Sequence, residues 1–153
     1  MILMASVATA AFGLPLLADP MNHSRGVRVA AAPFATDSVR EGTLETLRSA
    51  TADPRRLLID ARLERDYEYG SLARAVNIPV NASLWQIREF LQGVDRDTPV
   101  VVFCQSSSCG FDETVGRQLS LLGFRDVTVT REGYAEFRKA SGPSDLKARD
   151  TRG

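Results

Sequence analysis

Two cysteines and one histidine are all the thiol and imidazole side chains that the 153-residue chain offers. With His23 far upstream of Cys104 and Cys109, a closed four-ligand zinc site cannot be made from cysteine and histidine alone. Two cysteines are also too few for a disulfide scaffold. No metal and no cofactor are expected, and His23 reads as a solvated linker residue. Excess charge of one sign is missing too. The 19 basic and 19 acidic side chains cancel, and no basic stripe interleaves with aromatics, so nothing resembles the electrostatic footprint of a nucleic-acid binder. There is no Gly-x-Ser-x-Gly elbow, and the one histidine is remote from Ser106, Ser107 and Ser108, so a serine hydrolase lacks both its turn and its base. No internal repeat is present.

What remains is a chain of ordinary globular composition, long enough for one domain plus tails. Its organising stretch is Thr98 to Gly110, TPVVVFCQSSSCG. A run of β-branched and aromatic residues stops at Cys104, a polar loop follows, and a helical pattern begins at Phe111. That order places a thiol at the C-terminal end of a buried strand, just before a helix N-terminus, where open α/β sheets carry their chemistry. Backbone amides and the helix dipole stabilise an anion there, and a thiolate is an anion. Cys104 therefore reads as a nucleophile or sulfur carrier.

Segments of different character flank this stretch. Residues 1–18, MILMASVATAAFGLPLLA, are almost wholly apolar. They read first as a membrane anchor, with a cleaved signal peptide and a buried helix or fragment of a longer membrane protein as alternatives. Arg25 and Arg28 follow the stretch and nothing basic precedes it, which puts the domain on the cytoplasmic face if the segment spans; the signal-peptide reading exports it. Residues 19–37 read as a linker, with a short strand at Val27 to Ala30. Residues 38–140 read as the folded domain, and 141–153 as a polar, disordered tail.

Within the domain, Ser38 to Ala50 is expected to be a helix capped by Asp37 or Ser38, with Leu44 and Leu47 on one face. Leu57 to Asp60 reads as a buried strand, Ala61 to Arg74 as a charged connection, and Ala75 to Pro79 as a second strand stopped by its proline. Leu84 to Leu91 reads as a helix capped by Asn81 or Ser83, with Leu84, Ile87 and Leu91 on one face and Trp85 half-buried in helix packing. Phe111 to Leu122 ends at the helix-stopping Gly123. Val127 to Thr130 is a strand, and Gly133 to Lys139 a short helix with Tyr134 and Phe137 inward. Strands alternating with helices predict an α/β fold with a mostly parallel sheet covered on both faces.

Four segments in this order resemble a family. Leu57 to Ala140 resembles a single rhodanese domain, the fold of thiosulfate and related sulfurtransferases. LLIDAR (Leu57 to Arg62) is similar to the family's first motif, and DYEYGSLARAVNIP (Asp66 to Pro79) to its second. VVVFCQSSSCG is similar to the active-site strand and loop, and REGYAEF (Arg131 to Phe137) to the closing Gly-Gly-Trp motif. The family's Gly-His-Ile-Pro-Gly is here Gly70-Ser71-Leu72-Ala73-Arg74, and the loop carries no basic side chain. Cdc25-type phosphatases, which share the superfold, hold phosphate with an arginine inside that loop. Cys104 to Gly110 has none, and the next arginine is Arg117 on the helix, so phosphatase activity is not expected.

The resemblance implies a three-layer rhodanese-like fold and a Cys104 persulfide that passes sulfane sulfur to a thiol, or to cyanide, in two covalent half-reactions. Gln105, Ser106, Ser107, Ser108, Cys109 and Gly110 would form the cradle through backbone amides and serine hydroxyls. Such donors supply no full positive charge, which favours a small-molecule or protein persulfide over dianionic thiosulfate as donor. Asp112 and Glu113 favour the helix but oppose the thiolate. Cys109 either resolves an oxidised Cys104 into a disulfide or packs beneath the loop. Asp60 and Arg62 either pair structurally or orient the loop and substrate. Two other readings stand beside sulfur transfer: a catalytically weak binding or regulatory module, and a thiol redox sensor using Cys104 and Cys109.

Overall fold

A computed structural model describes residues 39–142 and 145–147. The apolar segment 1–18, the linker 19–37 with its strand at Val27 to Ala30, and most of the tail lie outside the described residues. Among the described residues no helix is long and apolar enough to cross a membrane.

Five strands form one sheet: β1 (Val39–Gly42), β2 (Leu57–Asp60), β3 (Val76–Asn77), β4 (Val100–Phe103) and β5 (Val127–Thr130). Their order is β1-β5-β4-β2-β3, and every neighbouring pair runs parallel. The helices between them are α1 (Leu44–Ala52), α2 (Glu64–Tyr69), α3 (Leu84–Phe90), α4 (Phe111–Leu121) and α5 (Tyr134–Ala140). Parallel strands need crossovers, and the helices supply them, so both sheet faces are covered.

The period-2 alternation of strands sorts the core into two layers. Ile59, Val100, Val102, Val127 and Val129 face Ile87 and Leu91 near α3 and Val115 and Leu119 of α4. Leu58, Val101 and Phe103 face Leu47 and Ala50 of α1 and Tyr134 and Phe137 of α5. The central strand β4 is buried on both faces along its whole length, which is why its sequence reads as an unbroken apolar run. Gly116 lets α4 lie close to the sheet: a Cβ there would fall 2.7 Å from Val129 Cγ1.

The expected α/β class, the strands at Leu57 and Val127, and the α4 stop at Gly123 (φ 92°) hold. Ser83 caps α3 reciprocally with Gln86: Gln86 N–H donates to Ser83 Oγ at 3.3 Å and Ser83 N–H to Gln86 Oε1 at 2.8 Å.

Several expectations need correction. The helix expected from Ser38 begins only at Leu44, and residues 39–42 are an edge strand paired with β5. Arg40 and Glu41 are exposed on that edge, so β1 shows no hydrophobic alternation. The charged connection after β2 contains the short helix α2, which buries none of its residues and has no apolar stripe to betray it. Leu84 is 41% exposed and Trp85 is 67% exposed; only Ile87 of α3, with Leu91 after it, reaches the core. Part of the expected disordered tail is also in place. Leu146 bridges Leu72 and packs on the core, while Ala73 N–H donates to Asp145 O at 2.9 Å and Lys147 N–H to Ser71 O at 2.8 Å. One leucine in a polar stretch supplies the burial that holds it.

Leu119 is fully buried between α4 and the sheet. Leu119→Ala is expected to cost about 2–5 kcal/mol in chemical denaturation, because the rigid parallel sheet cannot collapse into the void.

Candidate functional site

β2 and β4 end side by side, with Asp60 in register with Phe103. The chain leaves β4 at Cys104, which is 1% exposed, and turns through Gln105 to Cys109 before Gly110 starts α4. Cys109 N–H donates to Ser106 O at 3.0 Å, and Ser106 Oγ lies 3.1 Å from Ser108 Oγ. Gln105, Ser107 and Ser108 are exposed, whereas Cys109 is half-buried. Cys104 and Cys109 are joined by a disulfide whose Cα atoms stand 6.1 Å apart, so the pair left open by the sequence is bonded across the loop.

Beneath the loop lies a buried ion pair. Arg62, 3% exposed, holds the fully buried Asp60 through Nε (3.0 Å to Oδ1) and Nη2 (2.7 Å to Oδ2). Burying a guanidinium is tolerable only when its donors are used. Nη2 also donates to Gly70 O at 2.7 Å, and Nη1 to Gln105 Oε1 at 3.1 Å. The guanidinium stacks on the Tyr134 ring, 4.1 Å from its centroid. Asp60 accepts from Arg62 N–H at 3.0 Å and from Ser71 Oγ at 2.6 Å. Asn77 Nδ2 donates to both Asp60 O and Arg62 O at 2.9 Å. The two alternatives for Asp60 and Arg62 therefore merge: they pair structurally, and through Gln105 they hold the cysteine loop.

The other side of the loop rests on the start of α5. Tyr134 N–H donates to Cys104 O at 2.8 Å, and Ala135 N–H to Gln105 O at 2.9 Å. A Cβ at position 133 would overlap Cys104 O and fall 2.6 Å from Ser106 N, so glycine is required there by close approach of two backbones. Glu136 Oε2 accepts from Gly133 N–H at 3.0 Å and fixes that turn.

At the first turn of α4, Asp112 is 6% exposed, and one of its carboxylate oxygens is buried without a hydrogen-bond partner. Burial pushes its carboxyl up to about 6, helped by the charge of Glu113 and opposed by backbone N–H groups of the helix start.

Sequence reasoning placed Cys104 to Gly110 together and found Asp60 and Arg62. It missed that Tyr134 carries the guanidinium, that Ser71 and Asn77 close the network, and that Gly133 touches the loop. Ser71 stands where the related motif has histidine, and its hydroxyl does local structural work that a motif comparison registers only as a departure.

The profile of the rhodanese-like domain family matches residues 43–140. The chain belongs to the rhodanese-like domain family. Solved structures agree on the rhodanese-like fold. Protein BH2092 of Bacillus halodurans aligns at 17% identity with a TM-score of 0.62, covering 72% of this chain and 77% of its own. The human single-domain sulfurtransferase TSTD1 aligns at 21% identity with a TM-score of 0.52, covering 67% of this chain and 97% of its own. A thiosulfate sulfurtransferase from Pseudomonas aeruginosa aligns at 26% identity with a TM-score of 0.56 over 70% of this chain; the match spans only 19% of that longer protein. No curated protein matches the chain significantly.

The electrostatics of this rhodanese-like site can be tested at two carboxylates. Asp60→Asn leaves the Arg62 charge buried without its counter-charge and is expected to cost about 3–5 kcal/mol by urea denaturation. For Asp112, the folded form binds a proton more readily than the unfolded chain. Its contribution is therefore fully present below pH about 4 and lost as pH rises through about 6. Asp112→Asn should raise stability by about 1–3 kcal/mol at pH 8 and leave it unchanged at pH 4. Equal effects at both pH values would contradict the assignment.

Proposed function

We propose that this rhodanese-like chain is a sulfurtransferase that carries sulfane sulfur as a persulfide on Cys104. The observation that carries the reading is the placement of Cys104 at the C-terminal end of the central strand, beneath a loop pinned on one side by Arg62 through Gln105 and on the other by the backbone of Tyr134 and Ala135. In the reduced chain the Cys104 thiolate attacks the outer sulfur of a donor, the donor's sulfur–sulfur bond breaks, and the donor's remaining thiolate leaves. A thiol acceptor, or cyanide in an assay, then takes the sulfur.

The loop sets the donor class. Ser106, Ser107 and Ser108 give the loop three hydroxyls, and their amides have no acceptor among the described residues. They suit a persulfide carrying a single negative charge. The guanidinium of Arg62 is spent on Asp60, Gly70 and Gln105, so it offers no open fork to a dianion. A low-molecular-weight or protein persulfide is therefore the preferred donor over thiosulfate.

Reduced protein incubated with glutathione persulfide is expected to transfer sulfur to cyanide faster than with thiosulfate, and Cys104→Ser is expected to abolish both rates. Thiocyanate formation measures this directly. Undiminished turnover in Cys104→Ser would refute the carrier role of Cys104, and no turnover with either donor would leave a rhodanese-like binding module instead.

A further inference from the structure

The disulfide adds a second cysteine to a site whose proposed chemistry needs only one. Cys109 is bonded to Cys104 in a fold whose flanking strand β4 and helix α4 are both formed. The two cysteines are unequal in exposure: Cys104 is 1% exposed, while Cys109 is half-buried. Thiol–disulfide exchange depends on which sulfur an incoming thiolate can reach.

We infer that Cys109 is a resolving thiol that reduces the Cys104 persulfide, so that the chain releases hydrosulfide and is regenerated by a dithiol. This rests on the sulfur-carrier reading and names the fate of the sulfur where no cyanide or external thiol takes it first. In the first step the Cys104 thiolate takes the outer sulfur of a donor persulfide, and the donor leaves as a thiolate. In the second, the Cys109 thiolate attacks Cys104 Sγ. A Cys104–Cys109 bond forms, the bond from Sγ to the carried sulfur breaks, and that sulfur departs with the electron pair as hydrosulfide. The carried sulfur is reduced and the two cysteines are oxidised together. In the third, one thiolate of a dithiol reductant attacks Cys109 Sγ, on the more exposed of the two residues, and expels Cys104 as a thiolate. The reductant's second thiolate then displaces Cys109 and leaves as a disulfide. The net reaction turns a persulfide and a dithiol into a thiol, hydrosulfide and a disulfide.

Two structural features favour this direction over simple oxidation of a buried pair. The loop that carries both cysteines runs into the N-terminus of the eleven-residue helix α4, whose amides stabilise a thiolate against the opposing charge of the acidic first turn. Cys109 lies on a hydrogen-bonded turn of the loop itself, held by its own N–H to Ser106 O. Its thiolate is thus intramolecular with respect to the persulfide, and the attack carries the rate advantage of a tethered nucleophile.

The test uses the full chain, reduced and freed of reductant, then given glutathione persulfide. Hydrosulfide and the loop peptides are followed together by fluorescent trapping and mass spectrometry. The wild-type chain should release one equivalent of hydrosulfide and end with the Cys104–Cys109 link, its loop peptide lighter by two hydrogens. Cys109→Ser, and Cys109→Ala as a second variant, should slow hydrosulfide release by on the order of a hundredfold and accumulate one cyanide-removable sulfur on Cys104. A wild-type chain that keeps a lasting persulfide and forms no link would overturn the resolving role while leaving the sulfur-carrier reading intact. So would release at the wild-type rate from the Cys109 variants. Failure of every chain, variants included, to take sulfur onto Cys104 would sink both. A thiol added to the oxidised wild-type chain should be trapped on Cys109; capture on Cys104 would refute the order of the reductive step.

Discussion

A guanidinium buried in a small domain is a constraint that its surroundings must satisfy completely. Arg62 is satisfied by a carboxylate, a backbone carbonyl, a side-chain amide and an aromatic face, drawn from four separate places in the chain. The carboxylate ends β2, the carbonyl follows α2, the amide opens the cysteine loop, and the ring begins α5. Each partner is fixed because the charge would otherwise be stranded. The result is a floor under the loop, built from polar groups and joined to one apolar layer through the Tyr134 ring. The network of Asp60, Ser71 and Asn77 extends the same logic by one shell, since the carboxylate that neutralises Arg62 must itself be held.

This division of labour explains what was legible in the sequence. The apolar layers announce themselves: β4 is a run of residues with no polar break, and α4 repeats Val115 and Leu119 on one side. The position of Cys104 is legible as well, because a thiol placed after such a strand and before such a helix sits where a parallel sheet exposes its backbone amides. The edge strand β1 was not legible, since Arg40 and Glu41 face water and its pairing with β5 is a long-range fact. Helix α2 and the exposed Trp85 escaped for related reasons: one lacks a buried face, and an apolar side chain on a helix does not say which way it points. The roles of Tyr134 and Gly133 were hidden more deeply. Tyr134 reads as a core aromatic, and it is one; that its ring also carries a cation depends on a residue seventy-two positions away. Gly133 is required by the neighbouring backbone and not by its own dihedral angles.

Family membership and local chemistry constrain different things here. The rhodanese-like match fixes the layers, the strand order and the location of the loop. It does not fix what the loop does, because the loop residues are where this chain departs from the motif. A histidine has become Ser71, the loop holds no cation, and a second cysteine stands at its far end. Arg74, where the motif ends in glycine, adopts φ 65° and donates to Ala50 O and Thr51 O at the end of α1. The side chain that occupies the awkward backbone position thus also satisfies carbonyls left open by a helix end. Departures of this kind come with their own compensations and give the chain a local character of its own.

The backbone bonds from Tyr134 and Ala135 to the cysteine loop have a consequence for how the protein is made. Synthesis delivers Cys104 well before it delivers the segment that holds it. Until residues 127–135 are in place, β4 lacks its neighbour β5, and the Arg62 guanidinium has no ring to stack on. Non-local pairings of this kind close late, because chain entropy must be overcome before they contribute. The thiol therefore acquires its surroundings only when the last helix docks. Until then it is an ordinary cysteine on an incomplete chain, and its enclosed environment arrives together with the completed fold.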